Sequence, residues 1–408
     1  MNVKDIRSLF PALSRTVYGK DLVYFDNAAT SQRVQTVLDE WNRISSESNA
    51  NIHRAVHRLA DEATQAYEQA RDAVKDFINA ECREEIVFTS GTTAAINLVA
   101  FCFGEAFVGE GDEVIVTEAE HHSNIVPWQM MCKRKGAVLK VLKVEDSGHL
   151  DVNSLPDLIT DRTKILAVTQ ISNVLGLINP VKEIIEICHR RGVPVLVDGA
   201  QGIVHCSVDV RNLDCDFYVF SGHKMYAATG TGVLYGKKKW LEAMPPYMGG
   251  GEMVGTVTFA ETTYALLPMK FEAGTQNFAS AATFKQAIEF IKTLSDNNLV
   301  KCNEDIRDYL LDVLTGDDRI KLYGVPRGTN EEKIPLFSFT VSGVHHEDLA
   351  LILDKMGIAV RSGQMCAEPL MDRFGVTGML RVSIAPYNTM DEAQYFVKCL
   401  NKAIDMLI

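Results

Sequence analysis

The stretch PVKEIIEICHRRGVPVLVDGAQ, residues 180–201, shows the pattern that decides the fold. Its first half carries apolar residues at three- and four-residue spacing, which predicts an amphipathic helix with Gly192 as its C-cap. Its second half is a short apolar run that predicts a buried strand ending at Val197. A helix followed by a buried strand is typical of a βαβ unit, in which the strands run parallel.

The same alternation extends over the first 250 residues or so. Apolar runs rich in β-branched and aromatic residues end at Phe88, Val116, Val144, Val168, Val197, Phe220 and Leu234. Segments with helical periodicity, such as SNIVPWQMMCKRK (123–135), lie between them, and a long helix is predicted over residues 57–79. We therefore predict an α/β fold in which helices flank a mostly parallel, seven-stranded sheet.

The character of the chain changes after residue 290. Residues 303–408 predict a helix, a strand, a second helix, two strands and a final helix, which together form an α+β unit. We predict a large domain over residues 16–293 and a small C-terminal α+β domain formed by residues 1–15 and 294–408. The Gly- and Thr-rich stretch 249–275 predicts a hairpin or a long surface loop.

Composition and charge exclude several classes of protein. The 408 residues include 41 basic and 53 acidic side chains, a net charge of −12, and 47% are hydrophobic, which is typical of a globular chain. Binding to nucleic acid or to an anionic membrane depends on clustered Lys and Arg, so neither is expected as a partner. The sequence contains no uninterrupted apolar run of membrane-spanning length, so no membrane span is expected.

The nine cysteines are scattered, and none forms a C-x-x-C pair. This pattern predicts neither a zinc site nor a disulfide framework, and it favours reduced thiols in a reducing compartment. The N-terminal segment MNVKDIRSLFPALSR lacks the unbroken apolar stretch and the cleavage site of a signal peptide. We therefore expect a cytoplasmic protein without a bound metal.

Ligands of open α/β sheets bind beyond the carboxyl ends of the strands, so the residues after each apolar run are candidates for a site. The run ending at Phe88 is followed by SGTTAAIN (90–97), in which Gly91 permits a turn and Thr92 and Thr93 begin a helix. The free N–H groups of a helix start and two hydroxyls are suited to a phosphate. The alternative is an ordinary N-cap, where Ser and Thr are common.

Two charged residues follow later runs. Asp198 comes directly after VPVLV, with Gln201 three residues on, and a partly desolvated carboxylate there requires a cation or a donor unless it is a helix N-cap. Lys224 follows DFYVF within SGHK, together with Ser221 and His223. Burial would lower the pKa of this amine and make it nucleophilic toward carbonyls, whereas the alternative is a lysine that extends to the surface.

These sites together match one cofactor. A phosphate site, an acid for a ring cation and a lysine for a Schiff base are what pyridoxal 5′-phosphate requires. The segment EHHSN (120–124) adds His121 after a further strand, either to stack on the ring or as one of a pair of surface histidines. We therefore predict pyridoxal 5′-phosphate as the cofactor.

The sequence resembles the class V aminotransferase family of fold-type I pyridoxal phosphate enzymes, and within it the cysteine desulfurases of the SufS type. The resemblance extends over nearly the whole chain. Its motifs are YFDNAAT (24–30), ANIHR (50–54), SGTTAAIN (90–97), EHHSNIVPW (120–128), ISNVLG (171–176), VDGAQ (197–201), DCDFYVFSGHKMY (214–226), FEAGTQN (271–277), RSGQMCAEPL (361–370) and LRVSIAPYN (380–388).

The resemblance implies roles around the cofactor. Lys224 would be the Schiff-base lysine, Asp198 the partner of the pyridinium nitrogen, and Gln201 a donor to the ring hydroxyl. His121 would stack on the ring and carry a proton, with Asn173 beside it. The implied phosphate ligands are Thr92, Thr93, Ser221 and His223, joined by Thr275 from the second subunit of a dimer.

The resemblance also implies substrate contacts. Arg381 would clamp the substrate carboxylate, and Cys366 in the small domain would be the nucleophile that receives sulfur. The other implied substrate-binding residues are Asn173, Arg361, Ala28 and, from the partner subunit, His53 and Arg54.

The activity implied is that of a cysteine desulfurase, which converts L-cysteine to L-alanine and passes sulfur to an enzyme cysteine as a persulfide for iron–sulfur cluster assembly. A homodimer with shared active sites and an acceptor protein of the SufE or SufU type are the implied partners. SufS-type enzymes commonly carry histidines where this chain has Gln364 and Met365, so the acceptor stays open. Alternative activities are those of a selenocysteine lyase acting on L-selenocysteine, a kynureninase-like enzyme or an aminotransferase.

Overall fold

The computed structural model describes residues 3–296 and 300–408. Its helices are α1 (Val3–Ser8), α2 (Gln35–Glu47), α3 (Arg58–Phe77), α4 (Thr92–Phe107), α5 (Val126–Lys135), α6 (Leu155–Leu158), α7 (Val181–His189), α8 (Gly202–His205), α9 (Val210–Leu213), α10 (Lys238–Ala243), α11 (Phe278–Ala282), α12 (Phe284–Asp296), α13 (Val300–Thr315), α14 (His346–Lys355), α15 (Glu368–Phe374) and α16 (Met390–Leu407).

The strands are β1 (Thr16–Val17), β2 (Lys20–Asp21), β3 (Val23–Tyr24), β4 (Ile86–Thr89), β5 (Glu113–Thr117), β6 (Val138–Leu142), β7 (Thr163–Thr169), β8 (Val195–Asp198), β9 (Phe217–Ser221), β10 (Gly232–Gly236), β11 (Val254–Val257), β12 (Thr262–Tyr264), β13 (Ile320–Tyr323), β14 (Leu336–Val341), β15 (Ile358–Ala359), β16 (Arg361–Gly363) and β17 (Met379–Ser383). Short 3-10 helices include His122–Asn124 and Gly222–Lys224.

The large sheet has the strand order β4-β10-β9-β8-β7-β5-β6. Strands β9, β8, β7, β5 and β6 pair in parallel, whereas β10 runs antiparallel to β4 and β9. Alternate residues of β7 enter two separate cores, with Leu166 and Val168 in one and Ile165 and Ala167 in the other. This sheet, covered on both faces, confirms the predicted α/β fold.

The stretch that predicted the fold forms α7 and β8 as expected. The helix ends at His189, however, so Gly192 lies beyond its C-cap, with a φ of +70° that favours glycine. The long helix predicted over residues 57–79 is α3, and the His57 ring accepts a hydrogen bond from the backbone N–H of Ala60 at its start. Both predictions rested on strong periodicity and are confirmed.

The C-terminal part forms a four-stranded antiparallel sheet of order β13-β14-β17-β16. Helices α13, α14 and α16 pack on it around a core of its own. The first of the two strands predicted before the final helix covers residues 358–362 (IAVRS), but the structure divides it into two strands. Ile358 pairs with Val23 in parallel, and Arg361 pairs with Arg381 in the four-stranded sheet. The strand breaks because its two ends have different partners.

The N-terminal segment contacts both cores. Ile6, Phe10 and Leu13 pack in the core of the large sheet, whereas Val23 and Phe25 pack in the C-terminal core. These contacts cross the predicted boundary between residues 15 and 16, and residues 1 and 2 lie outside the described part. The division into 16–293 and 1–15 with 294–408 stays a prediction.

The surface carries a short hairpin, and the described residues include neither a membrane-spanning helix nor a metal-binding cluster. Strands β11 and β12 pair as an exposed antiparallel hairpin in the stretch where a hairpin or loop was predicted. No helix within residues 3–296 and 300–408 has the length and apolar character required to cross a membrane. The same residues contain no group of three or more His, Cys, Asp or Glu side chains able to hold a metal ion.

Candidate active site

A cavity of about 550 Å³ lies where the carboxyl ends of β7, β8 and β9 meet the loops of the C-terminal sheet. It is lined by residues that the sequence singled out, namely Ala28, Thr92, Thr93, His121, Asn173, Asp198, Gln201, Ser221, His223, Lys224, Arg361, Cys366 and Arg381. The structure thus brings these residues together from both parts of the chain. His53, Arg54 and Thr275 do not line the cavity.

Hydroxyl groups cluster at the start of α4. The Thr92 N–H donates to Ser221 Oγ over 2.8 Å, and the Thr92 and Ser221 hydroxyls are 2.7 Å apart. The Thr93 hydroxyl lies 2.7 Å from that of Ser123, a residue that the sequence analysis did not single out although it lies within EHHSN. Gly91 has a φ of +150°, and a Cβ there would lie 3.3 Å from Ser221 Oγ. Hydroxyls at a helix N-terminus are suited to a phosphate group.

His223 adds a neutral donor to this cluster. Burial lowers the pKa of its imidazole to about 4, and the charges of Lys224 and Arg33 act in the same direction. The ring is therefore neutral near pH 7 and carries one N–H. The residue lies in the 3-10 helix that directly follows β9, which explains its place beside Ser221.

Asp198 and Lys224 form the second part of the site. Burial raises the pKa of Asp198, which is 4% exposed, while the Ala200 N–H and the charge of Lys224 oppose the rise. Within the described residues, the Asp198 carboxylate accepts one hydrogen bond, from Ala200 N at 2.9 Å. Burial lowers the pKa of Lys224, against the effect of Asp198. A buried carboxylate with so few donors has capacity for a cation.

Gln201 and Ala28 fix the loop that follows β3 against the sheet. The Gln201 side-chain amide donates to the Ala28 oxygen over 2.8 Å. The Ala28 N–H donates to Ser383 Oγ over 2.9 Å, so this loop also contacts β17. The resemblance implied that Gln201 donates to the ring hydroxyl of the cofactor, and the bond to Ala28 leaves one of the two N–H groups of its amide for that role.

His121 is held in one tautomer by its surroundings. Its Nδ1 accepts from the Ser123 N–H over 3.0 Å, so the neutral ring carries its proton on Nε2. Burial lowers the pKa of His121 to about 4, and the charges of Lys224, His122 and Arg381 act in the same direction. At neutral pH, His121 therefore offers the cavity an N–H donor.

A buried carboxyl anchors the His121 loop. Glu120 is fully buried, and its oxygens accept from Thr117 Oγ1 at 2.6 Å, Asn124 Nδ2 at 2.7 Å and the Thr169 N–H at 2.8 Å. Burial raises its pKa to about 8 in spite of these donors. The sequence analysis did not single out Glu120, although it begins the motif EHHSN; one of its partners, Thr169, lies 49 residues away in the chain.

Cys366 lies in a loop that is held at two points. The Asn173 side-chain amide donates to the Met365 oxygen over 2.8 Å, and the His122 N–H donates to the Cys366 oxygen over 2.7 Å. Met365 and Cys366 both have a φ of +54°, which is unusual for two successive non-glycine residues. Cys366 is exposed, whereas the other cysteines with described side chains are buried or half-buried.

Two arginines and a carboxylate form the third part of the site. Arg381 is nearly buried and donates from Nη1 to the Asn173 oxygen over 2.9 Å. Asp26 lies between the two arginines, 2.8 Å from Arg361 Nη2 and 3.3 Å from Arg381 Nη2. Sequence analysis missed Asp26 as a site residue, although it lies within the motif YFDNAAT. Such guanidinium groups are suited to a carboxylate ligand.

The three remaining predicted residues lie away from this cavity. His53 Nε2 is 3.1 Å from Glu68 Oε1, and Arg54 Nε is 3.0 Å from Glu252 Oε1. Thr275 is exposed and lies between β12 and α11, after the short 3-10 helix Met269–Phe271. The structure therefore does not bring these three together with Lys224 within one chain.

Comparison with known proteins places the chain in a family. The family model described as Aminotransferase class-V matches residues 23–396. This chain belongs to that family. A probable cysteine desulfurase of Vibrio cholerae is 43% identical over 407 residues, covering 100% of both chains. Another from Halalkalibacterium halodurans is 45% identical over 402 residues, or 98% of each chain.

A solved structure supports the same placement. The crystal structure of the cysteine desulfurase CsdA (S-sulfonic acid) from Escherichia coli matches this chain with a TM-score of 0.90 at 40% identity. The match covers 100% of each chain. The family matched by the sequence and the fold matched by the structure therefore agree.

Enzymes of this family depend on pyridoxal 5′-phosphate, and the site of this chain fits that cofactor. The hydroxyls at the start of α4 suit its phosphate, and the buried Asp198 has capacity for a cation such as a protonated ring nitrogen. Lys224 lies in the same cavity, with an amine whose pKa burial lowers. The three requirements of the cofactor therefore meet in one place.

Proposed function

We propose that this chain is a pyridoxal phosphate-dependent cysteine desulfurase that converts L-cysteine to L-alanine and transfers the sulfur to Cys366. The observation that carries this proposal is the position of Cys366, exposed and lining the cavity that contains Lys224. Arg381 lines the same cavity, so the three groups face one space. The relatives named cysteine desulfurases support the same activity.

The cofactor, when bound, supplies an electron sink for negative charge at the α-carbon of an amino acid. Thr92, Thr93 and Ser221 bind its phosphate, with a further N–H from His223. Asp198 pairs with its ring nitrogen, and Gln201 and Asn173 complete its surroundings. These assignments rest on the fit of the donors and on the family resemblance.

Arg381 binds the substrate carboxylate. Its Nε is buried without a partner in the described residues, so an incoming carboxylate oxygen would satisfy it. Arg361, Asn173 and Ala28 line the same part of the cavity. The α-amino acid is thereby oriented with its α-carbon toward Lys224.

Lys224 moves the proton of the substrate, and His121 supplies a hydrogen bond. Because burial lowers the pKa of Lys224, its Nζ reaches the neutral form more readily and can take the proton from the substrate α-carbon. His121 is a donor through Nε2, since its Nδ1 is occupied by the Ser123 N–H. It is therefore suited to donate a hydrogen bond to the bound substrate, and not to deprotonate Cys366.

Cys366 carries out the sulfur transfer. Its thiolate attacks the sulfur of L-cysteine, so an S–S bond forms while the C–S bond of the substrate breaks. The electron pair of that bond stays with the carbon fragment. The fragment gains one proton at its β-carbon, which the thiol of L-cysteine supplies on balance, regains the α-proton from Lys224 and leaves as L-alanine. The exposed position of Cys366 leaves the resulting persulfide accessible to the thiol of an acceptor, which we propose is a protein of the SufE or SufU type serving iron–sulfur cluster assembly.

We further propose a cytoplasmic homodimer with shared active sites. Arg54 and the exposed Thr275 lie outside the cavity of their own chain, so a second copy can place them at its partner's site. The hairpin of β11 and β12 exposes Phe259 fully and is suited to cover a neighbouring site. His53 would accompany Arg54, and the two-domain division predicted from the sequence forms part of this proposal.

The Cys366→Ala variant tests the activity. It should lose alanine release from L-cysteine while still binding the substrate, measured by the absorbance of the bound cofactor. Cys206→Ala, at a half-buried cysteine, is the matched control and should retain activity. Alkylation after one turnover should trap a persulfide on Cys366. Alanine release at the wild-type rate in Cys366→Ala would contradict the proposal.

The same variant distinguishes the alternative substrate. L-Selenocysteine carries the same carboxylate and amine, so the residues that bind L-cysteine bind it equally. A selenol is more acidic than a thiol, and selenium can leave without attack by Cys366. Turnover of L-selenocysteine alone by both wild type and Cys366→Ala would indicate a selenocysteine lyase.

A further inference from the structure

Asp26 neutralises a pair of like charges at the carboxylate site. Arg361 and Arg381 are directly opposite each other on the antiparallel strands β16 and β17. Like charges in that arrangement destabilise a sheet. The Asp26 carboxylate lies between them, with Oδ2 at 2.8 Å from Arg361 and Oδ1 at 3.3 Å from Arg381. One carboxylate therefore serves two guanidinium groups.

The backbone holds Asp26 in this place. Asp26 forms a parallel bridge with Ser383, and the Ser383 N–H donates to the Phe25 oxygen over 2.8 Å. The Asp26 oxygen accepts from Ala29 N at 3.2 Å and from Thr30 N at 3.4 Å. The segment is thereby attached to β17, which carries Arg381, so the carboxylate keeps a fixed position relative to that arginine.

The side chains of Arg361 and Arg381 differ in how firmly their surroundings hold them. The side chain of Arg381 is 4% exposed, its Nη1 is bonded to Asn173, and its buried Nε has no partner within the described residues. The Arg361 side chain is 47% exposed, and its described polar contacts are with Asp26 alone. Arg381 is therefore a fixed anchor with an unused donor, and Arg361 is oriented mainly by Asp26.

We propose that Asp26 is a positioning and specificity-determining residue of this site. It orients Arg361 and limits the three groups to a net charge of +1, which matches the single carboxylate of a neutral amino acid. A substrate with a second anionic group meets Asp26 and is disfavoured. This inference rests on the proposed function only in that the substrate is an α-amino acid. It adds a reason why the site prefers amino acids with one carboxylate over those with two.

The test compares an amino acid with one carboxylate against an amino acid with two. The holoenzyme is titrated with L-alanine and with L-aspartate, and the absorbance of the bound cofactor gives both dissociation constants. Asp26→Asn keeps the shape of the side chain and removes its charge. It should shift the preference toward L-aspartate by about tenfold or more, because the first carboxylate compensates Arg381 and the second then faces a guanidinium group that has lost its acidic partner. Asp21→Asn, at an exposed acid on β2, is the matched control and should leave the preference unchanged.

A second variant keeps the test decisive if Asp26→Asn does not fold. Arg361→Gln lowers the net charge to zero and should shift the preference further away from L-aspartate. The double variant returns to +1 and should restore a preference close to that of the wild type. Charges contributed by another copy of the chain are the same in all variants and cancel in the comparison.

An unchanged preference in Asp26→Asn or in Arg361→Gln, with the cofactor retained, would overturn the inference. These titrations do not involve sulfur. A wild type that binds both amino acids but forms no alanine from L-cysteine would therefore count against the desulfurase proposal and not against the role of Asp26. The two failures are thus distinguishable.

Discussion

Lys224 and Lys333 lie in surroundings that lower the pKa of their amines. Burial is the main cause for both, and the pKa of Lys333 falls to about 7. The Lys333 amine donates to the backbone oxygen of Leu175 and is buried there. Lys224 instead lines the cavity together with Asp198. Location, in addition to pKa, therefore decides which amine meets a carbonyl ligand.

Borohydride reduction of the holoenzyme should attach the cofactor to Lys224 and leave Lys333 unlabelled. Peptide mass spectrometry of the reduced protein gives the position. Lys224→Ala should lose the label but retain cofactor without a covalent bond, because the hydroxyls at the start of α4 still bind phosphate. Label on Lys333 in the wild type would show that a lowered pKa outweighs position.

His121 makes the stability of the protein depend on pH. Its pKa is lowered from the ordinary 6.5 to about 4 in the folded chain. Between these values the unfolded chain binds a proton at this residue that the folded chain does not, so acid favours unfolding. The contribution is complete above pH 6.5 and lost as the pH falls toward 4. It amounts to at most about 3 kcal/mol.

The variant His121→Gln should therefore lose less stability than the wild type between pH 7 and pH 4.5. Glutamine can still accept the Ser123 N–H but does not titrate, so a difference of up to about 3 kcal/mol is expected. Urea unfolding at the two pH values measures the free energy of unfolding. The same pH dependence in both proteins would show that His121 is not the titrating group.

At the scale of elements, the turn before α4 decides how the phosphate site is built. Gly91→Ala places a side chain at a positive φ and 3.3 Å from Ser221 Oγ. We expect the cofactor to bind about tenfold more weakly, since the hydroxyl cluster must shift by a few tenths of an ångström. Gly192→Ala also has a positive φ, but its Cβ would meet nothing within 4 Å. We expect Gly91→Ala and Gly192→Ala each to lower the free energy of unfolding by about 1 kcal/mol, because both place a side chain at a positive φ. Gly192→Ala should leave the affinity for the cofactor unchanged.

Fluorescence titration of the apoenzyme with the cofactor measures both affinities, and thermal unfolding measures both stabilities. Equal loss of affinity in Gly91→Ala and Gly192→Ala would show that backbone strain alone explains the effect. The position of Gly91 at the site would then have no separate role.

Elements with strong periodicity could be predicted, and short ones could not. Helix α3 and the pair of α7 and β8 follow from spacing, because each buries a regular apolar face. Strand β13 was missed because it is a short edge strand with few buried side chains. The same limit applies at the site. Lys224 follows a strong apolar run, whereas Asp26 meets Arg361 and Arg381 across 335 and 355 residues of chain, which local pattern does not reveal.

At the scale of the whole molecule, a chain of polar contacts joins the segments that lie outside the cavity. His53 contacts Glu68, which binds the fully buried Arg71, and Arg71 forms two hydrogen bonds of 2.7 and 2.9 Å to Glu272. Glu272 lies three residues before Thr275. The two segments that carry His53 and Thr275 are therefore held relative to each other by a buried network. A second copy of the chain would receive both as a unit.

Mixing two inactive chains tests whether active sites are shared. In a heterodimer of Lys224→Ala and Arg54→Ala, shared sites leave one site with both residues intact, so random pairing should restore about a quarter of the wild-type activity. Lys224→Ala mixed with Cys366→Ala is the matched control. Both of those residues line one cavity of the same chain, so no intact site forms and no activity should return. Alanine release by the unseparated mixture gives the result. Heterodimers isolated through a different tag on each chain should show about half of the wild-type activity, since one of their two sites is intact. Absence of recovery in the first mixture, in verified heterodimers, would place Arg54 at the site of its own chain or outside both sites.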